Sequence, residues 1–220
     1  MKTILTSVAI ILSINLFAQK DIDVEEKNGE FSLGKENGFS VDIPEADVDD
    51  VMKGWKEEMK DYKAKVSDKK DEMFADDAEM EELGVNTADI YAVFKETEEG
   101  MNMIVFVNLG GAYLSSSLHG DQAKFMEELI RKFAIEEAKD AIEEQIDAQD
   151  KILSGLESDQ KSLEKENEDL HHAIEDYNDK IKKAEGDIKT NEKNQTDKKA
   201  AIEAQKTVIE SVKKKLDGIK

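Results

Sequence analysis

The sequence predicts an α+β fold: a small head ordered β-hairpin, helix, β-hairpin, helix, then a long α-helical coiled coil with antiparallel pairing. Three observations predict it. Short apolar runs alternate with polar residues through the first half of the chain. An unbroken heptad repeat fills the last third. From Asp121 onward there is no proline to stop a helix. The organisation reads as a signal peptide over 1–18, a head over 19–135 and a coiled-coil tail over 136–220.

The first element is a targeting segment. Lys2 supplies a positive start, Ile4 to Phe17 is mostly apolar, and small residues lie near a cut after Ala18. The run is short for a membrane span, although a short anchor is the alternative. No cysteine follows it, which excludes a lipid-anchored lipoprotein, and no later segment is apolar enough to cross a bilayer. The protein is therefore expected in the periplasm, at the cell surface or outside the cell.

Within the head, Phe31 and Leu33 alternate with polar neighbours, as do Phe39, Val41 and Ile43. Asn37-Gly38 between them predicts a tight turn, because type I′ hairpins need positive φ. Pro44 ends the second strand. A helix is expected over 45–66, with Val48, Val51, Met52, Trp55, Met59, Tyr62 and Val66 on one face. Such a stripe is a core face, although Trp55 and Tyr62 also suit a ligand platform. Residues 68–82 hold eight acidic side chains and read as a solvated connector. Two further strands, 90–95 and 101–109, form a second hairpin, and apolar residues on both faces of the latter place it centrally. The last helix begins near Asp121. Its first turns carry Phe125, Met126, Leu129, Ile130, Phe133 and Ile135, a broad stripe that packs on the sheet.

The tail has the most specific pattern. With Ile146 at heptad position a and Gln149 at d, the spacing holds to Ile219, and 15 of 22 seam positions are apolar. The interaction residues are Ile146, Leu153, Leu156, Leu163, Leu170, Ile174, Ile181, Ile202, Ile209 and Leu216. Position e changes from Asp150, Glu157 and Glu164 to Lys206, Lys213 and Lys220. Parallel pairing sets Asp159 against Glu164, Asp187 against Glu192 and Lys215 against Lys220. Antiparallel pairing opposes the acids to the lysines instead. The antiparallel partner is either a second chain or the same chain turning near Gly186 or in 191–196.

Charge and composition limit the function. The net charge is −21, with 26 acidic and 11 basic side chains in residues 20–120. This repels nucleic acid and anionic lipid and admits cationic partners. The chain has no cysteine, so disulfides, thiolate zinc sites and cysteine nucleophiles are excluded. Asp76, Asp77 and Glu79 are the candidates for a metal, since calcium takes six to eight oxygens, but their spacing is not that of an EF-hand. The same scattered carboxylates are what an enzyme here would have to use. Gly110-Gly111 and Ser115 to Ser117 before a helix offer a possible anion cradle, or a bulge and capping turn. His119 has no placed partner. His171 and His172 diverge by about 100° on a helix and cannot share a metal. No catalytic residue and no cofactor are expected.

The run Val107-Asn108-Leu109-Gly110-Gly111-Ala112-Tyr113-Leu114-Ser115-Ser116, the long charged coiled coil behind it and the segment ending Phe17-Ala18-Gln19 resemble exported coiled-coil proteins of Bacteroidota. The resemblance implies export and carries no activity. The expectation is a non-enzymatic structural or interaction protein of the envelope, whose tail spaces or assembles and whose acidic head binds a protein partner, a cation or a basic ligand. The mature chain should begin near Gln19. N-terminal sequencing of the envelope fraction checks this, and an intact Met1 in membranes would make the apolar run an anchor.

Overall fold

The computed structural model describes residues 21–218. The segment 1–18, its cut after Ala18, and the last heptad residues Ile219 and Lys220 lie outside the described residues. The fold is α+β: a six-stranded antiparallel sheet followed by one long helix. The elements are β1 (Val24–Phe31), β2 (Gly34–Pro44), α1 (Val48–Asp61), β3 (Lys65–Lys69), β4 (Glu72–Ala78), a single 3-10 turn (Glu81–Leu83), β5 (Ala88–Thr97), β6 (Gly100–Asn108) and α2 (Gly120–Asp217). The sheet order is β1-β2-β6-β5-β4-β3. Thus β6 is central, as its two apolar faces require, and β1 and β3 are the edges. Compact packing of the head runs to Gln149, and a second unit begins at Asp150.

The head has more strands than the sequence predicts. The segment 68–82 is not a connector: β3 and β4 form a hairpin paired from Lys65↔Asp76 to Lys69↔Glu72. Its turn uses Lys70 at φ 58°, where no glycine or proline marks a reversal. Helix α1 is also shorter than 45–66. Asp47 caps it by accepting from the Asp49 N–H at 2.8 Å. At the other end Lys63 turns left-handed at φ 60°, and the N–H groups of Lys63 and Ala64 close onto the carbonyls of Lys60 and Met59. Val66, at the right spacing for the helix stripe, instead pairs with Ala75 in the sheet.

One face of the sheet packs on α1 and on the first turns of α2. Phe39, Val41, Ile43, Ile90, Phe94 and Met103 from the strands meet Val51, Trp55 and Met59 from α1 and Met126, Ile130 and Phe133 from α2. Trp55 is 1% exposed and sits edge-to-face on Phe133, with ring centroids 5.0 Å apart. It is core and not a ligand platform.

The opposite face carries a second, aromatic cluster of Phe31, Tyr91 and Phe106, with Phe74, Ile104 and Tyr113 beside it. This cluster explains why Asn37-Gly38 is not a turn. The hairpin reverses at Ser32-Leu33, and Asn37 and Gly38 lie inside β2, opposite Asn28 and Lys27. Pairing of β2 with β6 stops at Phe39, whereas pairing of β1 with β2 continues to Phe31 and Gly34. Beyond Phe39 the two-stranded arm folds over the outer face. Phe31 stacks on Phe106 with centroids 4.5 Å apart and tilts against Tyr91 at 5.0 Å. Past it, the Ser32 N–H and hydroxyl both donate to the Glu72 carboxylate on β4. The arm lies close because it presents glycine to the ring: a Cβ on Gly29 or Gly38 would lie 2.7 or 2.8 Å from Phe106. Gly38 serves close approach, not positive φ.

Gly38→Ala should therefore lower head stability by about 1–3 kcal/mol, the usual effect of overpacking. Combining it with Phe106→Leu should recover part of that loss relative to Phe106→Leu alone. Urea melts of the four proteins check this, and strict additivity would mean that Gly38 matters for another reason.

Candidate functional site

The sheet brings together a set of carboxylates that the sequence only partly anticipates. A β-bulge between Ala75 and Ala78 interrupts the pairing of β4 with β5 and turns Asp77 left-handed at φ 58°. There, oxygens of Asp76, Asp77 and Asp89 come within 4.8 Å of one another. Asp89 replaces the expected Glu79, which turns away to pair with Lys63. Only the register between β4 and β5 could have revealed Asp89. The Thr87 hydroxyl donates to Asp77 Oδ1 at 2.9 Å, and Lys65 Nζ lies 3.5 Å from Asp77 and 3.9 Å from Asp76. The lysine ammonium thus already supplies positive charge to this group of three carboxylates.

The Gly110–Ser117 segment is occupied by the protein's own contacts. The Gly110 N–H binds Asn108 Oδ1 at 2.9 Å, Leu109 N–H binds the Ala112 carbonyl, and Leu114 N–H returns to Val107. The Ser116 N–H, which an anion would need, donates to Glu26 Oε1 at 3.1 Å. Asn37 Nδ2 donates to the same oxygen at 2.7 Å and to the Leu114 carbonyl at 2.8 Å. Burial works to raise the Glu26 carboxyl, and the hydrogen bonds from Ser116 and Asn37 outweigh it, holding it below the usual range. Glu26 is a tie between β1, β2 and the loop before α2. His119 is half-buried next to this loop, and its Nδ1 has no hydrogen-bond partner among the described residues.

A second acidic site lies where α1 meets α2. Gly54 leaves room for the Glu137 carboxylate directly over its Cα. Asp47, Asp50, Lys53, Asp140 and Glu144 surround it. Burial, then the neighbouring carboxylates of Asp140, Asp50 and Glu136, push the Glu137 carboxyl up to about 7. On the other flank, burial and the charge of Asp61 raise Glu58. The sequence gives little sign of Glu137: it is one acid among many on a helix, and its seat depends on a glycine from another element.

The tail is one long helix whose seam residues stand exposed. Helix α2 is unbroken through Gly186 and 191–196, so the chain does not turn back on itself there. Ile146, Leu153, Leu156, Leu163, Leu170, Ile174, Ile181, Ile202, Ile209 and Leu216 are each 46–68% exposed. The ion pairs along the tail are local, such as Lys182 with Asp179 at 3.7 Å and Lys206 with Glu203 at 2.6 Å. His171 and His172 are exposed, and His172 lies 3.8 Å from Glu175. Among the described residues, no helix is long and apolar enough to cross a membrane.

No protein-family model, curated protein or solved structure matches the chain.

The Glu137 seat makes stability depend on pH. The folded state holds this proton more tightly than the unfolded chain, whose carboxyl titrates near 4.5. Its contribution is complete below about 4.5 and is lost as pH rises through about 7. Glu137→Gln should raise stability above that window by on the order of 1 kcal/mol, a figure reduced for the solvent that still screens the group. Below the window the two proteins should match. Denaturant melts on both sides of it check this, and an equal gain at every pH would rule out a proton at Glu137 as the cause.

Proposed function

We propose that the protein is a non-enzymatic structural and interaction protein of the cell envelope. After export, its tail pairs antiparallel with a partner helix as a coiled coil that spaces or assembles, and its acidic head is the binding module. The supporting observation is the row of ten large apolar side chains, about half exposed, along one face of an unbroken helix. A contiguous apolar stripe of this length marks an interaction surface. Burying a Leu or Ile fully is worth roughly 1.5–3 kcal/mol, whereas an isolated, mostly polar helix gains little from propensity alone. The reversal of charge along position e favours the antiparallel arrangement.

A second reading concerns the head alone: a module for a cation or basic ligand, supported by the acidic groove at Glu137 and by the Asp76, Asp77 and Asp89 group.

Charge exchange tests the coiled coil. Lys206→Glu with Lys213→Glu should lower the melting temperature of the tail at low salt, with partial rescue by added salt. Adding Asp150→Lys and Glu157→Lys, which puts lysines opposite the two new glutamates, should restore it. Each exposed pair contributes only about 0.3–0.5 kcal/mol, so the sum over several pairs carries the effect. Equal melting of parent and Lys→Glu variant at low salt would defeat the antiparallel assignment.

A further inference from the structure

We infer that the partner helix is a second copy of this chain, paired antiparallel in one particular register that the end-to-end alignment of the tails does not give. This rests on the coiled-coil reading above and names its partner. The first support is that the tail is complementary to itself. Residues 150–185 carry 11 acidic and 6 basic side chains, and residues 186–220 carry 6 acidic and 9 basic. A two-fold axis across the tail sets the acidic half of each copy against the basic half of the other, and every favourable pair occurs twice. The second support is that α2 does not fold back, which leaves its apolar face to another molecule.

The register follows from charge and from the polar seam positions. In the end-to-end alignment Asp150 faces Lys220, and the axis falls at Gly186. That alignment brings Glu185 against Glu185 and Asp187 against Asp187 of the second copy. It also sets Ile174 opposite Lys198 and Gln160 opposite Val212. Sliding one heptad removes the like-charge pairs and the Gln160–Val212 mismatch, and leaves Leu170 opposite Gln195 and Ile174 opposite Asn191 as the polar–apolar pairs near the axis. Asp150, Glu157 and Glu164 then face Lys213, Lys206 and Lys199, and Lys180 faces Asp187. No like-charged pair remains at positions e and g. In the seam, Leu156 meets Ile209, Leu163 meets Ile202, and Leu153 meets Val212. Gln160 meets Gln205 and Asn167 meets Lys198, so these polar side chains have polar partners, which is how a coiled coil fixes register.

The absence of cysteine from the chain makes the test direct. In the full chain, Gln160→Cys combined with Gln205→Cys should give a disulfide-linked dimer under mild oxidation. Either substitution alone should give none. Asn167→Cys with Gln205→Cys should also give none, because one heptad is about 10 Å of helix, beyond the reach of a disulfide. The parent chain, which needs no substitution, should sediment as a dimer whose melting temperature rises with protein concentration. A link in the 167/205 variant would restore the end-to-end register and overturn this one. A link in the single Gln160→Cys variant would mean parallel chains, and a disulfide within one chain would mean a hairpin; either overturns the proposal. A parent that stays monomeric at all concentrations also overturns self-pairing. If the charge-exchange melts nevertheless behave as expected, the coiled-coil reading survives with a different partner helix.

Discussion

A sheet with apolar side chains on both faces must be covered on both, and the head is organised around that requirement. On β6, Met101, Met103, Val105 and Val107 point to one side and Ile104 and Phe106 to the other. Two helices cover the first side. The second is covered by the protein's own β1–β2 arm, which leaves the β6 edge at Phe39 and folds across to β4. The fold thus closes a third layer over Phe106 without a third helix. Two glycines at the contact are the condition for it, because each removes a Cβ that would strike the ring. The same arm carries Asn37 and Glu26 to the loop before α2, so covering the outer face and positioning the start of the long helix are coupled.

Helix α2 is used in two ways along its length. Its first turns supply Met126, Ile130, Phe133 and Ala134 to the core, and small residues such as Ala138 continue the contact. From Asp150 onward its apolar residues are spaced as a narrow seam and stand in solvent. The broad stripe fits packing on a sheet, and the narrower two-position seam has the spacing that suits a single partner helix.

The sequence disclosed elements through period and failed where punctuation was unconventional. The α1 face, the central place of β6 and the start of α2 near Asp121 were legible because their apolar spacing is regular, whereas the heptads left open whether the tail runs on as one helix or turns back. The β3–β4 hairpin was not, because Lys63, Lys70 and Asp77 take left-handed turns that usually go to glycine or asparagine. Asn37-Gly38 failed in the opposite sense: a strong turn signal was a glycine required for close contact with Phe106. At the candidate sites, Asp76 and Asp77 were visible as neighbours, whereas Asp89 joins them only through strand register. Glu137 was invisible for a similar reason, since Gly54 on another helix makes its seat.

The strand order leaves two edges, and both carry heavy charge. The β3 edge is short and reads Lys65-Val66-Ser67-Asp68-Lys69; the β1 edge carries Glu25, Glu26, Lys27 and Glu30. Lysine-studded, charged edge strands resist the addition of a foreign strand, which is the route to amyloid-like stacking. Crowded copies of the head are thereby discouraged from growing into a continuous sheet through backbone hydrogen bonds.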